Sequence, residues 1–311
     1  MGRPAYAAVD WGTSSFRLWL IDEDGTVLGE RRSSEGMTTA ASTGFAEVLQ
    51  SHLSALFAPD DIPVIVCGMA GARQGWVEAG YIDTPTLLSA ILTGAVSVPG
   101  QKRDVRILPG LAQRSKQAPD VMRGEETQLL GAIAADAHGE QIVCMPGTHS
   151  KWVRVVDGAV AGFSTFMTGE LFDVITRHSI LSHAVTGAEA MPADADALEA
   201  AVKAAFDQPA LATSLIFGAR AGQLLHGLTA VGAQARISGT LIGAEIAGGL
   251  LNVGKGTAIT LVASGRLQAL YESAFHILSL PYQTIDADAA VRRGLSAAAK
   301  AIWLNDERRS A

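Results

Sequence analysis

The chain is poor in several things. It has two cysteines in 311 residues, Cys67 and Cys144. That leaves no disulfide framework and no zinc-ligand spacing. Both lie in apolar runs, Val64-Ile65-Val66-Cys67 and Ile142-Val143-Cys144, which reads as two inert buried thiols. An excess of positive charge is also missing: 24 Lys and Arg stand against 31 Asp and Glu, for a net charge of −7. A general nucleic-acid binder needs a basic face and is excluded, whereas a small anion held by a few local cations is not. No run suits a bilayer. The longest uncharged stretch, residues 84–101, is broken by two prolines, glycines and hydroxyl side chains. The opening Met1-Gly2-Arg3-Pro4 lacks the apolar segment of a signal peptide, so a cytoplasmic protein without membrane association is expected. What is abundant is apolar side chain, 48% of the chain. That excludes intrinsic disorder, and the length suits two domains of about 150 residues.

The opening reads as strands at residues 5–9, 16–21 and 26–31. Gly25 offers the positive φ that the Asp22-Glu23-Asp24-Gly25 turn requires. Phe45, Val48, Leu49, His52, Leu53 and Leu56 have helical spacing over residues 45–57. Residues 63–69 form a short continuous apolar run, the pattern of a buried central strand, and residues 106–108 suggest another.

The middle of the chain repeats this opening. A strand over 141–145 leads into Pro146-Gly147-Thr148-His149-Ser150. A second strand (151–156), an Asp157-Gly158 turn and a third strand (159–166) follow. Gly-Thr-x-Ser therefore occurs twice, at Gly12 and at Gly147, each time between two apolar strands. The copies start 135 residues apart, one domain length, which indicates an internal duplication. Helices are expected over 169–181, 194–206 (Pro192 at its start, Pro209 past its end), 210–225, 238–251, 266–278 and 287–304. Strands are expected at 258–263 and 284–286. The expected division is residues 1–138 and 139–287, with the C-terminal segment 288–311 packing back on the first lobe. Each half is α/β. The apolar helix over 210–225 offers a surface for homo-oligomer formation.

A strand–Gly-Thr–strand hairpin brings backbone N–H groups and a hydroxyl to one point. Glycine lets an anion approach the backbone and threonine adds a donor. A single such loop reads first as a plain hairpin. Two equivalent loops in two equivalent domains can clamp a polyphosphate from both sides, with Gly12, Thr13 and Ser14 on one side and Gly147, Thr148, His149 and Lys151 on the other. Asp10 ends the first strand and offers carboxylate oxygen to Mg²⁺ through water. No metal-ligand spacing makes His149 a ligand.

Asp10-Trp11-Gly12-Thr13-Ser14-Ser15 resembles the first phosphate motif of the sugar kinase, heat-shock chaperone and actin superfamily. Met145-Pro146-Gly147-Thr148-His149-Ser150-Lys151 resembles its second, and Leu261-Val262-Ala263-Ser264-Gly265-Arg266-Leu267 its adenosine motif. The resemblance implies duplicated ribonuclease-H-like domains flanking an ATP and substrate cleft. Four further strings are similar to 2-dehydro-3-deoxygalactonokinases: residues 67–76 (CGMAGARQGW), 122–128 (MRGEETQ), 146–153 (PGTHSKWV) and 166–172 (FMTGELF). Together the resemblance runs from about Ala5 to about Ala298. It implies ATP and Mg²⁺ as cofactors, and phosphorylation of the 6-hydroxyl of 2-dehydro-3-deoxy-D-galactonate in galactonate breakdown.

In related carbohydrate kinases an acidic residue before an interdomain helix accepts the hydroxyl proton. Gly124-Glu125-Glu126 fills that place, with glutamate where aspartate is usual. Glu125 is the favoured base and Glu126 the runner-up; a helix-start carboxylate that merely complements the macrodipole is the plain alternative. The substrate's carboxylate calls for a cation. Arg73 follows a buried strand and a Gly-rich turn, and its planar fork suits a carboxylate; Arg123 and Arg17 are rivals. Gln74, Trp76, Gly36, Met37 and Glu170 complete the substrate candidates, with Trp76 equally readable as core. Ser264, Gly265 and Leu267 are expected at the adenosine. So is Gly239, one of four glycines in a helical run (Gly239, Gly243, Gly248, Gly249) that point to close packing or close nucleotide approach.

Two other classes fit the same loops: an actin-like or chaperone-like ATPase switching a protein partner, and a sugar-sensing regulator. No appended partner-binding domain is evident for the first, and no helix-turn-helix precedes Ala5 for the second. A kinase for a related keto-deoxy sugar acid also fits.

Overall fold

The computed structural model describes residues 2–134, 137–188, 194–251, 253–254 and 256–304. Compactness divides the chain into two units. One holds the described residues up to Glu140, Val155–Phe163 and those from Ile285 onward; the other holds Gln141–Arg154 and Ser164–Thr284.

In the first unit, strands Pro4–Trp11, Phe16–Asp22 and Val27–Ser33 form an antiparallel meander. Gly25 sits in its first turn at φ +92°. Val64–Gly68 pairs in parallel with Pro4–Trp11, and Val105–Ile107 in parallel with Val64–Gly68. All five residues of Val64–Gly68 are buried, as a continuous apolar run demands of a central strand. In order of appearance these five strands lie 3-2-1-4-5 across the sheet, a ribonuclease-H-like arrangement.

Alternation of side chains divides the first strand between two faces. Ala7, Val9 and Trp11 join the core under helix Phe45–Ala55, which buries Phe45, Val48, Leu49, His52 and Leu53. Tyr6 points the other way and donates to Ser296 Oγ of the C-terminal helix Ala287–Ala299 at 2.8 Å. That helix packs on Pro4–Trp11 and Val64–Gly68. It crosses helix Glu125–Ala132 at bare backbone: a Cβ on Gly131 would collide with Ala290 O, and one on Gly294 with Thr127 O. Helix Ala287–Ala299 stops earlier than expected and passes into a wide turn over Lys300–Leu304. A small sheet of Tyr81–Asp83, Gly110–Gln113 and Asp120–Met122 is an addition the sequence pattern did not reveal.

The second sheet has the same 3-2-1-4-5 order: Ala159–Phe166, Ser150–Val156, Glu140–Met145, Ile259–Ala263 and Tyr282–Asp286. The fold is therefore α/β with a duplicated ribonuclease-H-like sheet, and the duplication coincides with the repeated Gly-Thr loops. Helix Ala195–Asp207 is capped by Asp194, which accepts from Ala197 N at 3.0 Å; Pro192 lies outside the described residues. The long helix runs from Ala230 to Gly249. It begins eight residues before the expected start because Thr229 caps it, accepting from Gly232 N at 3.0 Å. The four glycines singled out in the sequence are packing positions. Gly239 and Gly243 abut the backbone of Ala195–Asp207, Gly248 meets the Phe166 ring and Gly249 the Trp152 ring.

Candidate active site

In the first unit the candidates gather at the carboxyl ends of the parallel strands. Gly12 N donates to Ser15 O (2.8 Å), which closes the loop. Helix Met37–Thr43 clasps it from outside: Met37 N donates to Gly12 O (2.9 Å) and Thr38 N to Thr13 O (3.1 Å). Gly36 is obligatory in this clasp, since a Cβ would lie 2.5 Å from Ser15 N and Thr13 O. Thr13 and Ser14 remain exposed, and Met37 packs onto the core.

Asp10 stands opposite Arg17 in the antiparallel register, with carboxylate and guanidinium 4.0 Å apart. Burial pushes the Asp10 carboxyl up; Arg17 pulls it down, while Asp288 and Glu125 push it up. Arg17 is shared, because it also pairs with Asp288, which Arg32 holds at 2.7 Å. Among the described residues no group of three or more His, Cys, Asp or Glu side chains is placed to hold a metal. A lone carboxylate does not fit an all-protein cage. It fits Mg²⁺, which keeps its waters and takes one carboxylate plus ligand phosphates.

Gly124, at φ +109°, turns the chain into helix Glu125–Ala132, and the two glutamates part there. Glu126 is fully buried. Its carboxyl accepts from Gly124 N at 2.7 and 2.9 Å and from Thr127 Oγ1 at 3.1 Å. Burial, and then the charge of Glu125, push it up to about 8. Glu125 is half-buried, with Oε2 accepting from Arg123 N at 3.0 Å. The half-buried carboxylate and the sealed one are thus adjacent in sequence but differ in access.

Two substrate candidates make structural contacts. The Arg123 guanidinium donates to Ala79 O (2.8 Å) and Gly80 O (3.1 Å) and lies 4.4 Å over the Tyr81 ring. It braces the added sheet with its two terminal nitrogens, and its Nε–H is buried without a hydrogen-bond partner among the described residues. Trp76 stacks on Phe45 with ring centres 5.9 Å apart and meets Trp11 edge-on, on the core side of its loop. Arg73 and Gln74 follow the turn Met69–Gly71 and are exposed.

In the second unit a cavity of about 500 Å³ is lined by Gly147 and Thr148, by Gly169 and Glu170, and by Leu241, Ile242, Arg266 and Leu267. The loop rests on helix Thr168–His178: Glu170 N donates to Thr148 O (3.0 Å), and a Cβ on Gly169 would lie 2.5 Å from Gly147 O. The helix's first turn therefore faces the loop, a polarity that favours an anion. His149 Nε2 and Glu170 Oε2 are 2.5 Å apart. Glu170 thus stands beside the second phosphate loop. Lys151 is buried at 4% exposure. Ser264 occupies the N-cap position of helix Gly265–Ile277 in extended conformation, the first helical residue, Gly265, has φ +62°, and Leu267 reaches the cavity. Gly239 does not: it faces Leu198 O, where a Cβ would stand at 2.8 Å. Its neighbour Ser238 lines the cavity instead. Arg266, Ile242 and Leu270 are wall residues that sequence reasoning passed over; the signal available was Arg266's place directly after Ser264-Gly265.

Two strand–loop–strand sites, one in each ribonuclease-H-like unit, and an apolar-walled cavity ending in a phosphate loop are the features of a carbohydrate kinase. The family model described as 2-keto-3-deoxy-galactonokinase matches residues 10–298. The chain is 62% identical over 298 residues to a "Probable 2-dehydro-3-deoxygalactonokinase" of Rhizobium meliloti (strain 1021), covering 96% of this chain and 97% of that one. It is 35% identical over 299 residues to the 2-dehydro-3-deoxygalactonokinase of Escherichia coli (strain K12), covering 96% and 98%. A crystal structure from Sinorhizobium meliloti, of a protein with the same designation, superposes with a TM-score of 0.92 at 62% identity, over 96% of this chain and 99% of that one. The chain belongs to the 2-keto-3-deoxy-galactonokinase family.

Proposed function

We propose that the protein transfers the γ-phosphoryl group of ATP to the 6-hydroxyl of 2-dehydro-3-deoxy-D-galactonate, yielding the 6-phosphate and ADP. The observation that carries the chemical reading is Glu125, an accessible carboxylate at a helix start whose charge acts on Asp10. Glu125 accepts the hydroxyl proton as the new O–P bond forms and the bond to the β-phosphate oxygen breaks. Glu126 is sealed from any substrate. Arg73, exposed and without a hydrogen-bond or ion-pair partner among the described residues, takes the sugar acid's carboxylate. Gly36, Met37 and Gln74 line its path.

The adenosine lies against Arg266, Leu267, Leu270 and Ile242, and the phosphates meet Gly147 and Thr148, with His149 following them in the loop and Lys151, buried, next in the strand. Asp10 holds Mg²⁺ through water, and Gly12, Thr13 and Ser14 supply further phosphate donors. Bound Mg²⁺ neutralises charge on the phosphates. The reaction is assigned to the cytoplasm, where ATP is supplied.

The test is ADP release with Mg-ATP and the galactonate acid, its gluconate epimer, or no sugar. Rapid release with the galactonate acid alone supports the proposal. Equal rates with both epimers would widen the substrate to related keto-deoxy acids. Hydrolysis that ignores sugar would move the reading to a partner-switching ATPase. Glu125→Gln is expected to lower kcat by about 10²–10⁴; an unchanged kcat removes Glu125 as the base.

A further inference from the structure

Beneath the second phosphate loop lies a buried polar cluster that the reaction does not use directly. Glu245, on helix Ala230–Gly249, is 2% exposed. Its carboxyl accepts from Trp152 Nε1 at 2.8 Å and from Tyr271 OH at 2.7 Å. The hydroxyls of Thr168 and Ser150 bond it as well. Its partners come from three further elements: strand Ser150–Val156, helix Thr168–His178 and helix Gly265–Ile277. None is a cation. A carboxylate drawn this far from water persists only where donors surround it.

The cluster leads to the loop by two routes. Ser150 Oγ, 3.3 Å from Tyr271 OH, receives the Gly147 N–H at 3.4 Å. Thr168 precedes Gly169, where a Cβ would lie 2.5 Å from Gly147 O. Strand alternation keeps Ser150 and Trp152 on the Glu245 side and turns Lys151 to the other. Glu245 therefore ties both supports of the loop to the helix that carries the cavity's Ile242 and to the helix that carries its Arg266 and Leu267.

We propose that Glu245 is a positioning residue for phosphate binding: it fixes the 147–150 loop through Ser150, Thr168 and Tyr271, without touching nucleotide itself. This rests on the reading that Gly147 and Thr148 hold ATP phosphates. Loop order matters to ligands with phosphates and not to adenosine alone, so the two ligands separate positioning from general packing.

The experiment measures dissociation constants for ADP and adenosine by calorimetry in the wild type, Glu245→Gln and Ser150→Ala, with melting temperatures alongside. Glu245→Gln keeps volume but presents an amide N–H₂ where a donor already points. Ser150→Ala removes the hydroxyl that links Glu245 to Gly147 N and lies outside the cavity lining, which covers the case in which the first variant does not fold. The expected result is ADP affinity at least about ten-fold weaker in either folded variant, adenosine affinity within about two-fold of wild type, and a raised KM for ATP with an unchanged KM for the sugar acid. Equal losses for ADP and adenosine overturn the proposal, as does a lowered melting temperature with unchanged affinities. A wild type that binds ADP no more tightly than adenosine overturns the reading of the loop itself, and is recognisable because it precedes any mutation.

Discussion

Glu126 supplies a stability prediction whose size follows from its burial. Its carboxyl is fully buried, has no cationic partner in its hydrogen bonds, and lies beside Glu125. Burial and the like charge raise its pKa from 4.5 to about 8 in the folded protein. Between those values the unfolded chain has released the proton and the folded chain has kept it. The native state then binds more protons, so stability falls as pH rises through the window and levels off above it. The full window corresponds to about 5 kcal/mol, and the span from pH 5 to 7.5 to about 3 kcal/mol. Glu126→Gln reproduces the protonated form: its carbonyl still accepts from Gly124 N, and it never ionises. The measurement is urea unfolding of wild type and Glu126→Gln from pH 5 to 8. Trp11, Trp19 and Trp76, buried or partly buried in the same unit, provide the fluorescence signal. The variant is expected to match wild type near pH 5 and to exceed it by about 3 kcal/mol at pH 7.5. Parallel curves across this range would falsify the burial argument, because they require Glu126 to be ionised in the folded protein at neutral pH.

Three further predictions test neighbouring parts of the molecule. Gly131→Ala places a methyl group against the Ala290 carbonyl; backbone gives way poorly, so a loss of about 3 kcal/mol is expected, at the upper end for overpacking, and an unchanged melting temperature would refute the close crossing of the two helices. Arg266→Ala is expected to raise KM for ATP several-fold with little change in kcat, measured by steady-state kinetics; a fall in kcat alone would contradict its place in the nucleotide wall. Asp288→Asn removes a charge that raises the Asp10 carboxyl and releases Arg17 toward it. The Asp10 pKa then falls, so the acid limb of the kcat/KM profile is expected to move to lower pH; an unmoved limb shows that Asp10 ionisation does not set it.

The fold was legible because its two halves announce themselves in the same way. Apolar runs bounded by Gly-Thr loops and Asp-Gly turns mark strands whose partners follow immediately, and local pairing is what hydrophobic alternation encodes. The added sheet was not legible. Its strands Tyr81–Asp83 and Asp120–Met122 have three residues each, too few for alternation to register, and Tyr81–Asp83 joins through Gly110–Gln113, which is distant from it in the chain. The start of the long helix was missed for a different reason. Val231-Gly232-Ala233 has no helical stripe to read, because residues 230–249 are apolar nearly all round and are buried on several sides. Only the Thr229 cap marks where it begins, and a lone threonine before alanine is a weak signal.

The site divides along the same line. The two loops were legible as structure because glycine and threonine between two apolar strands mark a tight turn with free donors. Choosing between Glu125 and Glu126 required the structure, since access depends on which way helix Glu125–Ala132 turns its first residues. Gly239 was assigned to nucleotide because a helical glycine marks a close approach; the approach is real, but it is made by the backbone of Ala195–Asp207. Glu245 left a trace that could have been read: it is the one charged residue in Leu241-Ile242-Gly243-Ala244-Glu245-Ile246-Ala247. A carboxylate on an apolar helix face needs donors from elsewhere. Those donors, Trp152, Tyr271, Ser150 and Thr168, are scattered along the chain between Ser150 and Tyr271, which are 121 positions apart. A helix can advertise that a partner is needed; the partner's identity belongs to the tertiary structure, which is why the supports of a phosphate loop are harder to read than the loop.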